Sequence, residues 1–457
     1  MEIGETQKPG RNAEHISTGD TMNIPGDSNS SGKPRLWRGK PIVRYHAMIK
    51  PIGPTCNLDC KYCYYLSKEG LLDFEPGRRM SDEILEATIK QHIEGHNYKE
   101  IIFSWQGGEP TMLGLEFFEK VVAFQKRHCP KHMRCENDLQ TNGTLIDDEW
   151  CIFLKEHDFL VGLSIDGPKE LHDYYRKDRR GDGSFDKVMN AARLLRKHKV
   201  KSATLSCVNR LTAQQPLEVY RFLRDKVGAQ RMQFIPIVEP KIFRQVAPGT
   251  WSPDQMPLRD EPRARPGEPD SVVEEWCVDS EEYGDFLIAV FDEWLAHDLG
   301  KIYVNHFDCA VEQWMGRPSP LCVYAPMCGT EVVIEHDGSV YQCDHFVYPE
   351  YKLGHISDTP LGEMAVSERQ ESFAYAKDAL LPEYCRKCPY EWACVGECPK
   401  NRFLRAPDGQ PGLQYLCKGL KKYFAHIDPH VQKIARQLGA ERVLGVVGMQ
   451  NNEQHLS

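Results

Sequence analysis

Three cysteines, Cys56, Cys60 and Cys63, fall within the stretch PTCNLDCKYCYY, spaced C-x3-C-x2-C. Zinc sites and disulfide frameworks supply ligands in fours or in pairs. A cube of four irons takes one thiolate per iron, so three thiolates leave one iron open for a substrate or cofactor, much as a catalytic zinc keeps an open position. On spacing alone, zinc with a distant fourth ligand remains an alternative. Eight more cysteines crowd the last third of the chain: Cys322, Cys328, Cys343, Cys385, Cys388, Cys394, Cys398 and Cys417. Their densest run, CRKCPYEWACVGEC, reads equally as a zinc ribbon or as an iron–sulfur site. The remaining six, Cys129, Cys135, Cys151, Cys207, Cys277 and Cys309, are scattered and mostly read as packing residues.

These groups need a scaffold, and the hydrophobic pattern supplies one. IVRYHAMIKPI (42–52) is strand-like and runs into the three-cysteine loop. Further strand patterns occur at 100–105, 133–142, 159–167, 202–209 and 231–238. They alternate with amphipathic helices at 81–95, 115–128, 147–157, 185–199 and near 217–226. About six strand–helix units argue for α/β architecture with a parallel sheet. Right-handed crossovers curl such a sheet into a full or partial barrel. The rhythm breaks at 239. Residues 240–279, rich in Pro, Arg, Glu and Asp, read as an inserted loop, and a helix follows near 281–297. Beyond about 305 periodicity fades and a metal-held domain is expected.

The 457 residues allow two or three domains. A net charge of −9 gives no general reason to bind nucleic acid or an anionic membrane. No apolar run is long enough for a membrane span. The first forty residues lack a secretory apolar core and read as a disordered extension. Seventeen cysteines in such a chain point to metal binding or catalysis in a reducing cytoplasm.

Placed after the first strand, with Tyr62 before its last cysteine and GGEP (107–110) after the second strand, the C-x3-C-x2-C loop resembles the radical S-adenosylmethionine (SAM) superfamily. FSWQGGEPTMLGLEFFEKVV, LQTNGTLIDDEW, FLVGLSIDGPKELHD and DGSVYQCDHFV resemble the anaerobic sulfatase-maturating enzymes, radical SAM proteins with a SPASM domain. The resemblance covers roughly residues 42–430. It implies a partial (β/α)6 radical SAM barrel, followed by a cysteine-rich SPASM domain holding two auxiliary iron–sulfur clusters. The expected divisions are a disordered extension (1–40), the barrel (41–239), an insertion and connecting helix (240–304), the SPASM domain (305–430), and a C-terminal helix and tail (431–457).

The resemblance also implies roles. Cys56, Cys60 and Cys63 hold the SAM-binding 4Fe-4S cluster. Cys322, Cys328, Cys343 and Cys398 hold a first auxiliary cluster, and Cys385, Cys388, Cys394 and Cys417 a second. Tyr62, Gly107, Gly108, Glu109, Asn142, Ser164, Arg176 and the backbone at Met232 match SAM contacts, the glycines allowing close backbone approach. Tyr65 and Gln106 match positions facing the substrate peptide. Asp344, directly after Cys343, matches the catalytic base, and an ordinary Asp is ionised near neutrality. His345 and the other histidines have no comparable context.

The function so implied is oxidation of a Cys or Ser in an unfolded sulfatase polypeptide to Cα-formylglycine without oxygen. A 5′-deoxyadenosyl radical starts the reaction, and a donor such as flavodoxin or ferredoxin supplies electrons. Other readings remain open: a SPASM maturase forming thioether or carbon–carbon crosslinks, a non-catalytic iron–sulfur electron carrier, or a zinc-binding interaction protein.

Overall fold

Six strands alternate with six helices as the apolar pattern requires. The structure is a computed structural model that describes residues 45–72, 77–96, 98–328 and 331–439 in full, and the backbone alone of 36–37, 40–41 and 440–453. The expectation for residues 1–40 therefore lies outside the described residues. The exception is an antiparallel ribbon, Leu36–Trp37 with Lys40–Pro41, in a unit of its own spanning Met1–Ile42.

The barrel strands are β1 (His46–Lys50), β2 (Glu100–Trp105), β3 (Arg134–Thr141), β4 (Leu160–Ser164), β5 (Lys201–Val208) and β6 (Arg231–Pro236). Between them run α1 (Asp82–Glu94), α2 (Leu115–His128), α3 (Asp148–Glu156), α4 (Lys169–Tyr175), α5 (Phe185–Lys197) and α6 (Pro216–Phe222). Side-chain caps start two of these helices: Ser81 accepts from the Ile84 N–H at 3.3 Å, and Asp147 accepts from the Trp150 N–H at 2.9 Å. Each strand lies parallel to the next, so all six deliver their C-terminal ends to one rim.

The sheet has ten strands rather than six. Beyond β6 lies the short β7 (Tyr303–Val304). Beyond β1 lie three strands of the C-terminal region: β8 (Glu331–Glu335), β9 (Ser339–Tyr341) and β10 (Lys352–His355), in the order β10-β9-β8-β1-β2-β3-β4-β5-β6-β7. β8 runs parallel to β1, pairing Glu331 with His46 and Glu335 with Lys50, while β9 and β10 return antiparallel. The order is open, a partial barrel.

Beyond 305 regular structure does not fade as expected. Helices α8 (Asn305–Trp314), α9 (Glu368–Ala379) and α10 (Cys417–Glu453) follow the connecting helix α7 (Ser280–His297). A Cβ on Gly419 would stand 1.8 Å from the Ser280 carbonyl oxygen, so a glycine lets α10 cross close to α7 just after Cys417. The 240–279 segment has little regular structure, yet it is pinned to the cysteine-rich region. Tyr348 and Tyr351 hydroxyls donate to the Phe243 and Pro248 carbonyls at 2.6 Å, Arg405 donates to the Met256 carbonyl at 2.8 Å, and Lys418 pairs with Asp260 at 2.6 Å. Among the described residues no helix is long and apolar enough to cross a membrane.

Candidate active site

The three-cysteine loop leaves the C-terminal end of β1 and is tied to the stretch after α4. Asp59 and Lys61 N–H groups donate to the Lys177 and Tyr175 carbonyls at 2.8 and 3.2 Å. Cys60 lies within electrostatic reach of both Cys56 and Cys63. Asn142, at the end of β3, places its amide 3.8 Å from the Cys56 sulfur. Burial, the largest effect, pushes the Cys56 thiol up to about 12. Thiols so buried ionise only against a strong cation, as iron is.

The GGEP glycines serve packing more than ligand approach. A Cβ on Gly108 would stand 1.9 Å from the Thr55 carbonyl oxygen, and Gly107 has φ +127°. The Gly108 and Glu109 N–H groups donate to the Gly53 and Thr55 carbonyls at 2.8 and 3.0 Å. The turn is therefore clamped against the start of the three-cysteine loop. Glu109 turns its fully buried carboxylate into the protein. It accepts from the Thr111 N–H and hydroxyl at 3.1 and 2.6 Å, the Thr141 hydroxyl at 2.7 Å and the Asn142 N–H at 2.7 Å. With both oxygens taken, Glu109 holds the cofactor-side loops in place rather than offering a side-chain contact.

The strand register carries Thr141 through Leu163 and Thr204 to Met232, so Met232 lies one step below the level of Asn142 and Ser164. Arg176 is buried, in ion-pair contact with Asp166 at 3.0 Å, and donates to the Cys207 sulfur at 3.6 Å. Asp166 also receives the Tyr62 hydroxyl and the Cys207 N–H. Asp166 and Cys207 thus join the site. The sequence reading had passed over Asp166 inside SIDGP and had put Cys207 with the scattered cysteines.

The later cysteines gather into two sets. Cys343 lies within electrostatic reach of Cys398, Cys322 and Cys328. Cys394 reaches Cys417 and Cys385, and Cys417 reaches Cys388. Among the described residues no three His, Cys, Asp or Glu donors converge on one point as a single ion requires. Thiols on separate irons of a cube stand farther apart, so these sets fit clusters better than zinc. The turn between the sets is strained: Val395, Gly396 and Glu397 all have positive φ (43°, 68° and 48°). Arg402 holds it, donating to the Val395 and Gly396 carbonyls at 3.1 and 2.9 Å.

Asp344 follows Cys343 and sits where β8 meets β1. Lys50, at the end of β1 and 1% exposed, gives its ammonium to one carboxylate oxygen, and the Tyr64 hydroxyl donates to the other. Burial alone would raise the Asp344 carboxyl. The Lys50 charge, with His345 and the two hydrogen bonds, outweighs it and holds the carboxyl below its ordinary 3.8. Tyr65 does not face an open cleft. It is 3% exposed, its hydroxyl donates to both Glu335 oxygens at 2.7 Å, and its ring underlies the Lys50 ammonium at 3.9 Å. Its neighbour Tyr64 is the tyrosine that touches Asp344. Gln106, the residue after β2, is fixed by its N–H to the Ile49 carbonyl at 2.9 Å. His345 is no ordinary polar residue: its ring packs edge-on to Tyr64, and its Nδ1 lies 3.6 Å from the Cys398 sulfur.

A Radical SAM superfamily model matches residues 51–223, and a model of an iron–sulfur cluster-binding domain, SPASM, matches residues 322–389. A serine-type anaerobic sulfatase-maturating enzyme of Bacteroides thetaiotaomicron is 42% identical over 86% of this chain and 92% of its own. The chain belongs to the anaerobic sulfatase-maturating enzymes. A cysteine-type enzyme of Clostridium perfringens is 33% identical over 86% of this chain and 98% of its own. The structure of native anSMEcpe with bound AdoMet superposes with a TM-score of 0.73 at 34% identity, covering 86% of this chain and 99% of that one. A second structure of that protein, holding AdoMet and the Cp18Cys peptide, matches equally. For this member of the family, the residues legible only in three dimensions are Lys50, Tyr64, Asp166 and His345. No local motif flags them, since their partners are distant in sequence.

Proposed function

We propose that this enzyme oxidises a Cys or Ser of a sulfatase polypeptide to Cα-formylglycine anaerobically, with Asp344 as the base that takes the thiol or hydroxyl proton. The observation that carries this reading is the buried carboxylate of Asp344, kept ionised between Lys50 and Tyr64 next to Cys343. Cys56, Cys60 and Cys63 would hold the cluster that binds SAM. The two later cysteine sets would hold auxiliary clusters, three 4Fe-4S groups in all. When bound, these groups supply the one-electron chemistry that removes a hydrogen atom from Cβ of the target and an exit for the second electron. Tyr62, Gly107, Gly108, Asn142, Ser164, Arg176 and Met232 surround the SAM position, with Glu109 acting through Asn142 and Thr111. Gln106 lies on the substrate side. Loss of a proton from Oγ or Sγ makes the Cβ radical a far stronger reductant, so a base beside a cluster ligand couples proton and electron departure. A flavodoxin- or ferredoxin-type donor and a cytoplasmic setting complete the reading.

The test is anaerobic incubation with SAM, reductant and peptides carrying Cys/Ser-x-Pro/Ala-x-Arg. Conversion to formylglycine lowers the mass by about 18 Da for Cys and about 2 Da for Ser, as general chemistry requires. SAM cleavage with every such peptide unchanged would overturn the reading.

A further inference from the structure

We propose that Lys68 is a substrate-binding residue whose ammonium receives a main-chain carbonyl oxygen of the peptide lying beside Asp344. This rests on the peptide-oxidase reading above and adds a recognition element to it.

Lys68 opens a short helix, Lys68–Leu71, after the three-cysteine loop, and its N–H donates to the Tyr65 carbonyl at 3.0 Å. The residue is 1% exposed. Its Nζ stands 3.2 Å from the centroid of the Tyr348 ring, and among the described residues it has no hydrogen-bond acceptor. An ammonium carries three donors and no acceptor, and leaving them unsatisfied inside a protein is costly. The aromatic face meets part of that need, but an oxygen is still missing.

The protein's own carboxylates do not supply it. Those within electrostatic reach of Lys68 are Glu239, Asp344 and Glu335. Glu239 is paired with Lys400 at 2.7 Å, Asp344 with Lys50 and Tyr64, and Glu335 accepts the Tyr65 hydroxyl on both oxygens. The ammoniums of Lys50, Lys68 and Lys400 thus balance the carboxylates of Glu239, Glu335 and Asp344. Burial and the surrounding lysines lower the nearby His345 imidazole to about 4, so it adds no charge near neutrality. An anionic ligand would leave this nest with buried net charge, whereas a neutral acceptor completes it. The strongest neutral acceptor a peptide repeats is its amide carbonyl. Tyr348 and Glu239 also line a cleft with Phe243, Trp251 and Phe403, whose aromatic walls suit an extended peptide.

Titration supports the assignment. Burial, with Lys50 repelling and the three carboxylates opposing, lowers the Lys68 ammonium to about 7. A carbonyl arriving at the charged form favours that form, so peptide binding is strongest below pH 7 and weakens as pH rises through it.

The experiment measures peptide dissociation constants anaerobically on the SAM-bound holoenzyme. In the ligand series, each peptide bond near the target residue is replaced in turn by an ester, which weakens one carbonyl as acceptor. Lys68→Met should weaken binding of the all-amide peptide about tenfold to a hundredfold, the range for a charge-assisted hydrogen bond. One ester should weaken wild-type binding and have no effect on Lys68→Met. The wild-type decline between pH 7 and 9 should flatten in the variant. Equal affinity of variant and wild type overturns the proposal. If Lys68→Met loses its iron, the ester series on wild type decides alone: no ester that weakens binding overturns it. Failure of wild type to make formylglycine at all would strike the oxidase reading instead, and is seen separately.

Discussion

Asp344 is kept ionised by two residues 294 and 280 positions away in the chain, Lys50 and Tyr64. Asp344→Asn removes the proton acceptor. Formylglycine should fall by about two orders of magnitude or more, the usual worth of a general base being ~10²–10⁴. 5′-Deoxyadenosine should still form, and a mass-spectrometric comparison of the two products checks the uncoupling. Near-wild-type formylglycine with iron intact would remove Asp344 from the role. Lys50→Met leaves the carboxylate buried without its cation, and breaking such a pair costs about 3–5 kcal/mol. The sign with pH follows from the folded Asp344 carboxyl lying below 3.8. Its stabilising contribution is complete above that value and is lost as pH falls through the lower folded one. Wild-type product formation should therefore show no acid limb from Asp344 between pH 5 and 8. In Lys50→Met burial wins, the carboxyl rises, and an acid limb should appear in the pH–rate profile. The cysteines were legible in sequence because their ligand spacing is local. Lys50 sat unnoticed in a strand pattern because a lysine at a strand end reads as exposed until β8 covers it.

At the scale of elements, the strand–helix alternation was readable nearly to the residue. EIIFSW and LEFFEKVVAFQKRH became β2 and α2 without change. The C-terminal helices were not, because α9 and α10 lie among cysteines and glycines whose spacing answers to clusters and close crossings. The role of the GGEP turn was half legible. Its glycines were expected to serve the cofactor, and the contact that requires Gly108 is the Thr55 carbonyl. Gly108→Ala should push the three-cysteine loop outward. Anaerobically reconstituted protein should then lose the iron of that cluster while keeping both auxiliary ones, about eight irons in place of about twelve. Full iron content in Gly108→Ala would show that the loop yields without cost.

For the whole molecule, the cysteine count and grouping set a stoichiometry of about twelve irons and twelve sulfides, from three four-iron clusters. Replacing Cys56, Cys60 and Cys63 together by Ala should leave about eight irons and abolish SAM cleavage. Four irons in wild type, or stoichiometric zinc, would refute three clusters. One feature of the fold bears on how the enzyme is made. β1 emerges from the ribosome early, yet its outer partner β8 pairs His46 with Glu331. At ~5–20 residues per second, the first strand waits roughly 15–60 s for that edge to be covered. Throughout that interval an open strand edge, rich in buried-type side chains, stands next to three uncoordinated thiols. Biogenesis of this protein therefore has a vulnerable window in which chaperone protection and exclusion of oxygen matter more than at any point after the last strand has docked.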